Sequence, residues 1–158
     1  MKKDETIEMK HRRNKGQFYT PTLFVDYAHK MIENALGPDW KDEYVVFDPA
    51  CGTKNLTRDY RFKELYCSTL EDAELEIGKK YNPEATSFQY DFLNDDLDKL
   101  PKGLLEAFEQ NKKIVFFLNP PYARPSSLNG IKSGTINTVI NKEMIQAKMG
   151  HASTNLYT

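Results

Sequence analysis

Four short apolar runs punctuate the middle of the chain: Tyr44-Val45-Val46-Phe47, Leu65-Tyr66-Cys67-Ser68-Thr69-Leu70, Ser87-Phe88-Gln89-Tyr90 and Ile114-Val115-Phe116-Phe117-Leu118. They are too short for helices and rich in β-branched and aromatic residues, so each predicts a strand; the unbroken apolar character of the first and last suits strands buried on both faces of a parallel sheet. Helical spacing separates them, in a segment after the first run, from about Asp72 to Lys80, and between Gly103 and Gln110. Strands and helices alternating at this interval predict parallel β/α units with right-handed crossovers. A further helix precedes the first strand. Thr20 is placed to act as its N-cap and Pro21 as its first residue, Phe24, Tyr27, Ala28, Met31, Ile32 and Ala35 give it an apolar face, and Gly37-Pro38 stops it. From Ala123 to Gly150 the chain is rich in Gly, Ser, Asn and Lys with little periodicity, which predicts a flap or flexible loop.

The unusual residues fall where the strands end. The first strand runs into Asp48-Pro49-Ala50-Cys51-Gly52-Thr53-Lys54-Asn55-Leu56-Thr57, a small-residue loop of the kind by which a Rossmann-like sheet admits a nucleotide or nucleoside close to its backbone. The Gly-Lys-Ser/Thr ending of a P-loop and a three-glycine dinucleotide fingerprint are both missing, which favours a ligand without phosphates. The third strand ends in Asp91-Phe92 and the fourth in Asn119-Pro120-Pro121-Tyr122. Neither proline can donate to a sheet ladder, so Asn119 is held at the strand's carboxyl edge. Two readings stand for this cluster. In one the prolines end the ladder and Tyr122 covers the core; in the other the Asn119 amide and the carbonyls of Asn119 and Pro120 converge on an amino group while Tyr122 offers its face to a planar ring. Phe18-Tyr19, just before the first helix, is likewise open between core packing and a ligand role. In a parallel α/β sheet all these strand ends line a single edge, where ligands bind.

At 158 residues, 39% hydrophobic and 12% aromatic, the chain is sized for one globular domain. Its net charge of −1 conceals an uneven distribution, with Lys10, Arg12, Arg13 and Lys15 near the start and Asp91, Asp95, Asp96 and Asp98 in the middle. The basic arm suits either phosphate contacts or a solvated terminus. Cys51 and Cys67 stand outside any Cys/His cluster with metal spacing, which predicts reduced thiols and no metal site. No signal peptide and no run of membrane-spanning length is present, so a soluble, cytoplasmic protein is expected.

Gln17-Phe18-Tyr19-Thr20-Pro21, Asp48-Pro49-Ala50-Cys51-Gly52-Thr53 with Asn55-Leu56-Thr57, Asp91-Phe92-Leu93 and Asn119-Pro120-Pro121-Tyr122, in this order and spacing, resemble the adenine-specific DNA methyltransferases of restriction-modification systems. The resemblance covers residues 12 to 158 and implies a Rossmann-like methyltransferase fold, S-adenosyl-L-methionine as cofactor and N6-methyladenine in DNA as product. Residues 1–40 then form a basic arm and the helix that follows Gln17 to Pro21, and residues 41–158 the N-terminal part of the methyltransferase core, incomplete at its C-terminus. By the same resemblance Gln17, Phe18, Tyr19 and Thr20 close over the methionine part of the cofactor, Asp48, Pro49, Ala50, Cys51 and Gly52 form the loop beneath it, Asp91 accepts from its adenine amino group, and Phe92 flanks that ring. Asn119, Pro120, Pro121 and Tyr122 hold the target base, which in a duplex has to be flipped out first.

Two positions depart from the family pattern. Lys54 stands where a second glycine is usual, so the backbone there either avoids a positive φ or tolerates strain. Thr69 stands where the family carries the acid that grips the ribose hydroxyls, leaving Glu71 as its substitute or as a helix-start acid favoured by the dipole. The partners implied are double-stranded DNA and a specificity subunit or absent C-terminal half, with the edge of the fourth strand open to self-association. A non-catalytic fragment that binds cofactor or a partner chain, and a protein glutamine methyltransferase using the same Asn-Pro-Pro-Tyr logic, are the alternative functions.

Overall fold

The computed structural model describes residues 20–120, 126–128, 131–133 and 139–147. The chain divides into two compact units, one of Tyr19–Phe92 with Asp96–Asn119, the other of Met1–Phe18, Leu93–Asp95 and Pro120–Thr158.

The first unit is built on a four-stranded, all-parallel sheet of β1 (Val45–Asp48), β2 (Glu64–Thr69), β3 (Thr86–Gln89) and β4 (Ile114–Phe116), in the order β3-β2-β1-β4. Each strand lies within a residue or two of its expected place. The central pair carries the burial: every residue of β1 is buried, and so is all of β2 after Glu64. Helix α1 (Thr22–Leu36), the short α2 (Trp40–Glu43), α3 (Asp72–Gly78) and α4 (Lys102–Glu109) complete the unit, with a single 3₁₀ turn at Leu97–Lys99.

Two apolar clusters sandwich the sheet, as alternation along the strands requires. Val46, Leu65, Cys67 and Phe117 face Val25 of α1, Trp40, Leu56 and Phe62. Val45, Phe47 and Tyr66 face Tyr90, Leu100, and Leu104 and Ala107 of α4. Gly103 sits inside α4 because Tyr66 lies against it: a Cβ at this position would overlap the Tyr66 hydroxyl. A glycine that weakens the helix is here the residue that lets it approach the sheet.

Three local expectations are corrected. Thr20 does not cap α1; Pro21 is the residue flanking its first turn and no side chain caps the helix, since Thr20 is engaged elsewhere. The face α1 buries is also rotated from the one the sequence suggested: Val25 and His29 are buried with Ala28 and Ile32 beside them, whereas Phe24, Tyr27 and Met31 are exposed. Third, the segment after β1 forms successive turns in place of a helix. Gly52 and Lys54 both have positive φ, at 51° and 62°, which breaks any helical start. Its carbonyls are then taken up by side chains: His29 Nε2 donates to Leu56 O at 2.9 Å, and Asn82 Nδ2 to Thr57 O at 3.1 Å and Tyr60 O at 2.8 Å.

The second unit contains an antiparallel pair, β5 (Ser126–Leu128) and β6 (Ile131–Ser133), and helix α5 (Val139–Gln146), whose first backbone N–H donates to Asn94 Oδ1 at 3.4 Å. These elements lie in the segment expected to be a loop. Among the described residues, no helix is long and apolar enough to cross a membrane.

Candidate functional site

From β1 the chain steps outward to β2 and β3, then returns to the other side of β1 for β4. The strand order therefore reverses between β1 and β4, and in open α/β sheets the crevice beyond the carboxyl ends of such a pair is where ligands bind. β1 leads into Asp48-Pro49-Ala50-Cys51-Gly52, and β4 leads through Phe117 and Leu118 to Asn119.

The two motifs are tied to a third. Asn119 Nδ2 donates to Thr20 Oγ1 at 2.9 Å, joining residues 99 positions apart, and Asn55 Nδ2 donates to the Thr20 carbonyl. Thr20 thus fastens the segment before α1 both to the loop after β1 and to the end of β4. Asn119, Thr20, Ala50 and Gly52 are half-buried, while Asp48, Pro49 and Cys51 form a buried floor to the loop.

That floor is bonded to β2. Cys51 N donates to Ser68 O at 2.8 Å and Ser68 Oγ to Pro49 O at 3.0 Å, so the loop is locked to the neighbouring strand on both sides of Ala50. Asp48 is fully buried. Its Oδ1 accepts from Ala50 N at 3.2 Å, its Oδ2 has no partner among the described residues, and burial pushes the carboxyl up to about 7. The Cys51 thiol is driven far upward, first by its hydrogen bond with Cys67 and then by burial and the Asp48 charge, so it is no nucleophile at neutral pH.

Lys54 anchors the loop after β1 through its side chain. Its backbone adopts the left-handed conformation at φ 62°, and its buried ammonium donates to Tyr81 O at 3.0 Å and Asn82 O at 3.1 Å, just beyond the C-terminus of α3. These two hydrogen bonds and the burial of the stem hold the residue in that conformation.

The acid beside the loop is Glu74, in the first turn of α3, a residue the sequence reading passed over. Thr69 Oγ1 donates to Glu74 Oε2 at 2.9 Å, and a Cβ built on Gly52 would stand 3.7 Å from that same oxygen. The carboxylate therefore lies against the bare backbone of Gly52. Glu71 occupies the N-cap position of α3, and Glu74, in its first turn, meets Thr69 and Gly52. Across β2 and β3, Tyr90 N donates to Thr69 O at 3.1 Å; Asp91 and Phe92 follow, both half-buried, with Phe92 packed on the cluster around Phe47. Of the remaining expected site residues, Gln17, Phe18, Tyr19, Pro121 and Tyr122 lie outside the described residues. No group of three metal-binding side chains gathers among the described residues.

Comparison with models of known protein families, with curated proteins and with solved structures returned no match.

Proposed function

We propose that this edge binds S-adenosyl-L-methionine and that the chain carries the catalytic motifs of an adenine-specific DNA methyltransferase acting on the exocyclic amino group. The observation that carries the reading is the Asn119–Thr20 hydrogen bond of 2.9 Å, which brings two of the four sequence motifs together at the crevice that topology alone selects.

The residues fit a nucleoside cofactor. Gly52 carries no side chain of its own, and the Glu74 carboxylate stands beside its backbone, 3.7 Å from where a Cβ would be. Glu74, its Oε2 held by Thr69, supplies the acceptor for sugar hydroxyls that the position of Thr69 itself cannot. Asp91, following the end of β3, is the acceptor for an adenine amino group. The Gln17 to Thr20 segment and the Asp48 to Gly52 loop border the methionine part.

For the transfer itself, an adenine amino nitrogen is a weak nucleophile because its lone pair is delocalised into the ring. The Asn119 carbonyl oxygen and the Pro120 carbonyl accept its two N–H bonds and favour the pyramidal geometry reached during attack. Tyr122 stacks on the base and stabilises the positive charge that develops. The cofactor, when bound, supplies an already electrophilic methyl group, so the protein's task is alignment and no shifted general base is needed.

Calorimetric titration of the 158-residue chain with S-adenosylmethionine, beside Asp91→Ala and Glu74→Gln, tests the cofactor reading: micromolar binding weakened tenfold or more in either variant is expected. Methylation of an adenine-containing oligonucleotide, abolished by Asn119→Ala with cofactor binding retained, tests the transfer. A folded chain that binds no cofactor at millimolar concentration would refute the proposal.

A further inference from the structure

Asn55 follows the left-handed Lys54 in the turns after β1, and its side chain reaches well outside its own segment. Its Nδ2 donates to the carbonyl of Thr20, 35 positions earlier in the chain. Asn119 comes to the same residue from β4, its Nδ2 donating to Thr20 Oγ1 at 2.9 Å. One threonine therefore joins two asparagines, one from the loop after β1 and one from the end of β4.

Thr20 is free for this because it does no work for the helix it precedes. A threonine at a helix start ordinarily accepts from a first-turn N–H, which stabilises the helix by about 1 kcal/mol. Here α1 has no side-chain cap, and the Pro21 carbonyl accepts from Phe24 N at 2.9 Å and Val25 N at 3.2 Å. The carbonyl and hydroxyl of Thr20 stand outside that ladder, and both go to asparagines. A local rule set aside in this way marks a residue held for another purpose.

Asn55 is itself held from both sides. The Lys54 ammonium before it is bonded to Tyr81 O and Asn82 O, and the Leu56 carbonyl after it accepts from His29 Nε2 of α1 at 2.9 Å. Thr57, fully buried, meets Cys67 of β2 through its hydroxyl. A donor carried on a frame fixed at each neighbour dictates where its acceptor lies.

We propose that Asn55 is a positioning residue for the methyl transfer, acting through Thr20 to hold the side chain of Asn119 in one place at the carboxyl edge of β4. The role rests on the proposed function, in which Asn119 meets the target amino group; Asn55 acts on neither base nor cofactor directly. Left to rotate, Asn119 spreads its amide over several staggered rotamers. Held by Thr20, it is in place before the base arrives, and a misplacement of about 1 Å in such a site costs up to about 100-fold in rate.

The test compares the wild type with Asn55→Ala, Thr20→Val and Thr20→Ser, each shown to be folded by circular dichroism. Hydrogen exchange of the Asn119 side-chain amide, followed by nuclear magnetic resonance, reads its restraint. Exchange about tenfold faster is expected in Asn55→Ala and Thr20→Val, with near-wild-type exchange in Thr20→Ser, which keeps the hydroxyl. Methyl transfer from labelled S-adenosylmethionine to an adenine-containing oligonucleotide reads the consequence: kcat falls about tenfold or more in Asn55→Ala while the calorimetric Kd for the cofactor stays within about twofold. In a chain that binds cofactor without transferring, the exchange readout decides. Should Asn55→Ala fail to fold, Asn55→Asp, which keeps the shape and loses the donor, takes its place. An Asn55 that only supports the fold would lower thermal stability and leave Asn119 exchange and kcat unchanged, and that result would overturn the inference. So would a loss of kcat matched by an equal loss of cofactor affinity. A wild type that binds no cofactor refutes the proposed function and this role with it; one that binds cofactor, with Asn119 exchange indifferent to residue 55, refutes the positioning role alone.

Discussion

Asp48 offers the most demanding test of the physical picture. The carboxyl is fully buried at the end of β1, its one hydrogen bond comes from Ala50 N, and desolvation lifts it from the usual 3.8 to about 7. The sign follows directly. Between these two values the folded state holds a proton that the unfolded state has released, so this group's contribution to stability is greatest in acid and falls as pH rises to about 7. A shift of this size corresponds to a loss of about 3 kcal/mol between pH 4 and pH 7, at 1.4 kcal/mol per unit. Asp48→Asn removes the titration while keeping the acceptor for Ala50 N. Its new amide N–H₂ occupies the place of the unpartnered Oδ2 and costs about 1–3 kcal/mol at every pH. The variant should therefore be the less stable protein near pH 4 and equal or more stable at pH 8. Urea denaturation of both proteins across this range measures the effect, and the difference between the two curves cancels every other titrating group that does not touch Asp48. A difference that stays flat from pH 4 to pH 8 would refute the reasoning, because it would mean that Asp48 ionises as a hydrated carboxylate does.

Three further outcomes are expected. Lys54→Gly relieves a left-handed backbone but loses a buried stem and two hydrogen bonds to the carbonyls beyond α3, and is destabilised by about 2 kcal/mol in urea denaturation. Gly103→Ala costs about 1–2 kcal/mol by displacing the Tyr66 hydroxyl, and Tyr66→Phe in the same chain restores most of the loss in a double-mutant cycle. His29, stacked 3.5 Å from Tyr60 and donating to Leu56 O, is held below the usual histidine range chiefly by burial. The unfolded chain then binds the extra proton, so stability falls as pH drops below about 6.5, and His29→Gln, which keeps a donor, shows a shallower fall between pH 5 and pH 6.5.

The strands were legible because burial on both faces writes an uninterrupted apolar run, and the core of a parallel sheet leaves little freedom in register. The helix before them was legible in extent and misread in orientation. Its buried stripe is Val25, Ala28, His29 and Ile32, spaced at three and four residues, but the stripe contains a histidine, and the exposed Phe24, Tyr27 and Met31 carry more apolar weight. Periodicity cannot tell a buried histidine with a carbonyl partner 27 residues away from a solvated one. The β5–β6 pair had a local signal, the Asn129-Gly130 pair between short strands, which favours two-residue hairpin connections. The turns after β1 had none, since their carbonyls are satisfied by His29 and Asn82, side chains remote in sequence. Glu74 was hidden for a related reason: its partner Thr69 lies five positions away, across the strand-to-helix turn, and nothing in the spacing shows that the side chains meet.

Lys54 and Thr69 are connected through one helix. Lys54 lies in the turns after β1, and Thr69 is the last residue of β2. In the folded chain both are answered by α3. Its first turn supplies Glu74 to Thr69 and Gly52, and the carbonyls just past its last turn accept the Lys54 ammonium. Gly78, the last residue of the helix, packs on the same loop: a Cβ there would be in van der Waals contact with the Gly52 carbonyl and the Lys54 stem, at 3.5 Å each. Seven residues long, α3 has little intrinsic helical stability and depends on such tertiary contacts for its position. The loop after β1 and α3 therefore order one another, and the carboxylate beside Gly52 is held in place by the same contacts that let a lysine occupy a left-handed position. Losing either end of this arrangement loosens both, so Lys54 and Thr69 act as a matched pair about α3.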